Sequence, residues 1–142
     1  MHDKDTADLL AELKDDSDIH EFLSDNKGEM LRPLNEYLGE LLAKKQLAKA
    51  KIIHASGLER TYAYHIFDGQ KPHPARPKLL ALARTMKLDL EETQHLLRYA
   101  RHSMLYPRNP WDAVIIVAIE QDLSVAETNR LLDELGEKVL LK

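Results

Sequence analysis

The chain has 142 residues, with 20 Lys+Arg against 24 Asp+Glu, a formal net charge of −4, 44% hydrophobic residues and no cysteine. That length fits one compact domain, or one small domain with an added helical segment. The composition excludes a disordered, collagen-like or low-complexity chain, and the lack of cysteine excludes a disulfide framework, a thiolate metal site and a cysteine nucleophile.

Taken in chain order, the pattern predicts helices throughout and no strand of useful length, an all-α fold. Thr6 to Leu13 carries apolar residues at Ala7, Leu9, Leu10 and Leu13 and is broken by Asp15-Asp16-Ser17-Asp18. Ser17 or Asp18 can cap a short second helix through Ile19, Phe22 and Leu23, and Asn26-Lys27-Gly28 reads as a loop. Pro33 suits the first turn of a helix whose apolar positions Leu34, Tyr37, Leu38, Leu41 and Leu42 follow helical spacing. Ala48–Ala55 and Glu59–Phe67 form two short helices separated by Ser56-Gly57-Leu58, where Gly57 supplies the positive φ of a steep turn. A loop through Gly69–Pro74 leads to a helix marked by Leu79, Leu80, Leu82, Ala83 and Met86, and Asp89-Leu90-Glu91-Glu92 is a capping box for the next. Asn109-Pro110 opens the apolar Ala113–Ile119 stretch, read as a helix buried on most sides. Ser124-Val125-Ala126-Glu127 is a second capping box, followed by Leu131, Leu132 and Leu135 as an apolar face and Gly136 as the stop.

The charges are not evenly spread. Residues 1–30 hold three basic and ten acidic side chains, residues 111–142 three and seven, and residues 31–110 fourteen and seven. Between Lys44 and Lys87 ten Lys or Arg face only Glu59 and Asp68. A basic block in an acidic protein is either a footprint for a polyanion or a solvated surface whose lysines cluster.

The run from Gln46 to Lys71, with Ile53 or Ala55 before Gly57, then Leu58, Ile66 and Gly69-Gln70-Lys71, resembles the helix-turn-helix of Cro/CI-type (Xre, lambda-repressor-like) regulators. The resemblance extends over residues 36–99, nearly half the chain. It implies a lambda-repressor-like helix-turn-helix bundle at 31–105, extended by acidic helices at 1–30 and a helical hairpin at 106–142. It also implies sequence-specific binding of double-stranded DNA, with the Glu59–Phe67 helix in the major groove, and a role as a transcriptional regulator, repressor-like in kind. On that helix Tyr62, Ala63 and Ile66 fall inward, which leaves Arg60, Thr61, Tyr64 and His65 to meet base edges. Lys49 matches the family position that anchors on phosphate, and Lys51, Lys71, Arg76 and Lys78 are further phosphate contacts. Glu59 and Phe67 depart from the family pattern: a carboxylate at the start of the helix favours its dipole and repels phosphate.

Two readings of the acidic extension stay open, a cover over the basic face or a solvated appendage, and either it or the C-terminal hairpin is a place for a protein partner or effector. The hairpin, with Trp111 as a core anchor, completes the core or pairs two copies, and a homodimer is expected because such regulators meet successive major grooves. No enzyme is expected: there is no HExxH, no two histidines lie four apart, and five scattered glycines make no phosphate loop. Hence no metal and no cofactor are expected. The competing function is a protein-interaction adaptor that keeps the fold without binding DNA; it would carry an apolar patch where a DNA reader is basic. The longest apolar run is too short for a bilayer, which takes about 20 residues, and the N-terminus lacks the order of a secretory signal. A cytoplasmic, nucleoid-associated location is therefore expected, with no membrane partner.

Overall fold

The computed structural model describes residues 4–15, 18–30 and 32–142, which divide into one compact unit up to Arg32 and another from Pro33 to Lys142. Among the described residues all regular structure is helical.

The first unit holds α1 (Thr6–Asp15), α2 (Ile19–Asp25) and a single 3-10 turn, Lys27–Glu29. Asp18 caps α2 by accepting from the backbone N–H groups of His20 and Glu21; the alternative cap, Ser17, and the break residue Asp16 lie outside the described residues. The expected loop at Asn26 is instead an anchor. Its buried amide donates to the Phe22 carbonyl and to Glu12 and accepts from Lys4, so a polar residue serves beside Phe22 as part of this unit's interior.

The second unit contains α3 (Leu34–Lys44), α4 (Lys49–Ser56), α5 (Arg60–Asp68), α6 (Arg76–Thr85), α7 (Leu90–Tyr99), α8 (Pro110–Glu120) and α9 (Val125–Glu134). Pro33 stands at the N-cap of α3, one position before the helical residues. The core is built on α6, whose Leu79 to Ala83 are almost wholly buried, because α4, α7 and α9 all pack around it. Leu38 and Leu41 from α3, Ile66 from α5, Leu96 and Leu97 from α7, Ile115 from α8 and Leu132 from α9 close on the same centre. The α8–α9 pair therefore completes this core and forms no unit apart from residues 33–105. Leu135, expected on the buried face of α9, is exposed: the helix has ended at Glu134, and the chain turns at Gly136, φ 73°.

Arg84 is the one arginine sunk in this core, and its donors are spent on the Leu88 and Leu123 carbonyls and on Asp122. It ties the end of α6 to the α8–α9 turn. At α7 the expected capping box forms, with Asp89 and Glu92 exchanging hydrogen bonds, and Glu92 also meets Lys45 at 3.0 Å and Lys44 at 3.6 Å. Burial pushes the Glu92 carboxyl up, but the Asp89 N–H and the two lysines outweigh it and hold the group below its ordinary 4.5. A carboxylate lowered in the folded state stabilises above its unfolded value and loses that contribution as pH falls through the folded value. The urea midpoint, followed by Trp111 fluorescence, should therefore fall as pH drops below about 4.5, and Glu92→Gln should flatten that acid limb. An unchanged acid limb in the variant would remove Glu92 from the linkage.

Candidate nucleic-acid interface

The surface in question is built on a tight turn. Helix α4 stops at Ser56, whose buried hydroxyl donates to the Ile53 carbonyl and accepts from the Leu58 N–H. Gly57 then takes φ 81°, and Glu59 caps α5, its two carboxylate oxygens accepting from Thr61 and Tyr62. Those backbone hydrogen bonds, Thr61 first, hold the Glu59 carboxyl below its ordinary range. The acidic residue that looked out of place thus has a structural task at the start of α5. At Gly57 an added Cβ would also sit 3.2 Å from Leu141 Cδ1. Gly57→Ala should cost about 1–2 kcal/mol, read as a lower urea midpoint; an unchanged midpoint would show that the turn tolerates an L side chain.

Ala63, Ile66 and Phe67 bury the inner stripe of α5, and Tyr62 lies half-buried at its edge. The departure at Phe67 is thereby a core contact. On the outer side Arg60 and Thr61 are exposed, while Tyr64 and His65 are half-buried. Lys49, Lys51, Lys71 and Lys78 are exposed.

Four of these cations, all but Lys51, gather around two rings. Lys49 Nζ lies 5.8 Å and the Arg60 guanidinium 5.7 Å from the Tyr64 ring, joining the start of α4 to the start of α5. Lys71 and Lys78 lie 5.8 and 4.5 Å from the Tyr62 ring, joining the exit of α5 to the first turn of α6. A cation held over an aromatic face keeps its charge and gains a preferred position, worth about 0.5–1 kcal/mol at exposed sites. Ala48 and Ala75, which precede α4 and α6, provide no side-chain cap. The first backbone N–H groups of these two helices remain for solvent or an anion beside Lys49, Lys51 and Lys78.

Arg76 does not belong to this set. It was expected on phosphate, but its guanidinium forks onto Asp112 at 2.8 and 3.1 Å and donates to the Ser103 and Met104 carbonyls. It also lies over the Trp111 ring. Asp112 is buried and accepts in addition from the Tyr106 N–H. The sequence held half of this pairing in view, since Asn109-Pro110 places Asp112 in the first turn of α8, but its partner stands 36 positions earlier.

None of the exposed large apolar residues of the described chain lies on α4 or α5. Among the described residues no helix is long and apolar enough to cross a membrane, and no group of three His, Asp or Glu side chains is placed to hold a metal ion. Comparison with protein-family models, with curated proteins and with solved structures finds no match for this chain.

Proposed function

We propose that the protein binds double-stranded DNA sequence-specifically, as a lambda-repressor-like helix-turn-helix regulator of transcription, with α4-turn-α5 as the motif and α5 laid in the major groove. The observation that carries this reading is the pair of cation–aromatic clusters at α5, Lys49 and Arg60 on Tyr64 and Lys71 and Lys78 on Tyr62, with no exposed large apolar side chain on α4 or α5. An adaptor would need an apolar patch on the same face, so this surface favours the DNA reader.

Arg60 and Thr61 open α5 and are exposed, which suits them to base edges, with Arg60 forking onto guanine. Tyr64 and His65 sit one turn later and are half-buried, so their part is narrower contact at the groove wall. Lys49, Lys51, Lys71 and Lys78 take phosphates and set the register. Two copies would pair on a dyad-symmetric site.

The test is fluorescence anisotropy of the whole chain with a labelled pool of random duplexes over a salt series. Binding that weakens steeply with salt is expected, since each phosphate contact contributes a slope of about −0.9 in log K against log salt. Absence of binding at low salt would overturn the reading.

A further inference from the structure

The unit from Pro33 to Lys142 holds a cleft of about 1060 Å³ between the first turns of α5, α6 and α8 and the segment 137–142. Leu58, Tyr62, Pro77, Trp111, Val139 and Leu141 give it apolar and aromatic walls. The segment that forms one side is fastened at several points. The Trp111 indole N–H donates to the Lys138 carbonyl at 2.8 Å, and the Asn129 amide accepts from the Leu140 N–H and donates to the Leu141 carbonyl. Leu140 is buried in the core. The concavity is therefore preformed, as small-ligand sites usually are.

Its side chains carry a small positive excess. Asp112 is paired with Arg76, and the carboxylates of Glu59 and Glu137 stand against the ammonium groups of Lys78, Lys138 and Lys142. Lys78 Nζ stands 4.5 Å from the Tyr62 ring centroid, so a cation and an aromatic wall adjoin each other. Flat rings stack on aromatic walls in offset or edge-to-face contact, and an acid group gains from the ammonium.

We propose that this cleft is a binding site for a small planar aromatic anion, its ring against Trp111 and Tyr62 and its acid group on Lys78. The proposal requires only the cleft and not the DNA reading, although Lys78, given above to a phosphate, and Glu59 and Tyr62 at α5 belong to both surfaces.

Trp111 is the chain's one tryptophan, so its emission reports the cleft. Titration with the dye anilinonaphthalene sulfonate should quench Trp111 by energy transfer, saturating at one dye per chain. Lys78→Ala should weaken the dye about fivefold or more, and the uncharged N-phenylnaphthylamine should bind the unaltered chain weaker by a similar factor. Val139→Glu should abolish saturable quenching; if its circular dichroism shows lost helix, Val139→Ser replaces it and should weaken the dye. Arg130→Ala, on α9 away from the cleft lining, should leave the affinity unchanged. A response that does not saturate, equal affinity for the charged and uncharged dyes, or wild-type affinity in the Val139 variant would overturn the proposal.

Discussion

Replacing Arg60 and Lys49 together by alanine is expected to weaken binding to a preferred duplex selected from the random pool about 100-fold while leaving the urea midpoint nearly unchanged. On the proposed reading Arg60 would supply a bidentate contact worth about 1–3 kcal/mol, and Lys49 a phosphate contact whose loss would reduce the salt slope by about one. The two singles should differ in kind. Lys49→Ala should weaken all sequences alike, whereas Arg60→Ala should relax preference at one base position once a preferred duplex has been selected. Because both cations share the Tyr64 ring, at 5.8 and 5.7 Å, their effects should not add simply, and Tyr64→Leu should lower affinity through both. Full affinity in the double variant would remove this surface from the interface.

Arg76→Ala should produce the largest loss of stability, about 3 kcal/mol or more, because it leaves the Asp112 carboxylate buried and short of its partner. For a unit of this size the melting temperature should drop by roughly 10 °C. The double replacement Arg76→Met with Asp112→Leu should recover much of that loss, since an apolar pair of similar volume removes both desolvation costs. Its recovery is limited by the Tyr106 N–H and the two carbonyls, Ser103 and Met104, that lose partners. A fully stable Arg76→Ala with a shallower salt slope on DNA would instead return Arg76 to the phosphate contacts. Calorimetry beside the anisotropy series separates the two outcomes.

What the sequence shows of this molecule is its local structure. Helical periodicity and side-chain caps are encoded within four residues, so α7, α8 and α9 could be read with their capping residues Asp89, Asn109 and Ser124, and Gly57 announced the α4–α5 turn. The exposure of Arg60 and Lys49 follows from the same periodicity. Pairings across long separations were hidden. Arg76 lies next to Pro77 in the first turn of α6 and looks like a surface cation until α8 brings Asp112 to it. Asn26 reads as a loop residue because its partners stand far back in the chain, Lys4 before α1 and Glu12 within it. The return of residues 137–142 toward Gly57 and Trp111 carries no periodic signal, since its hold is made by the Asn129 amide, the Trp111 indole and one buried leucine. Leu135 falls outside the buried face because α9 ends at Glu134, one residue before the apolar pattern does.

Amide chemical-shift mapping distinguishes the proposed contact of α4 and α5 with DNA from contact through any other helix. Isotope-labelled whole chain titrated with the duplex pool at low salt should show its largest shifts at Lys49, Lys51, Arg60, Thr61, Tyr64 and His65, with α8 and α9 little changed. Largest shifts on α8 or α9, or shifts confined to residues before Pro33, would contradict it.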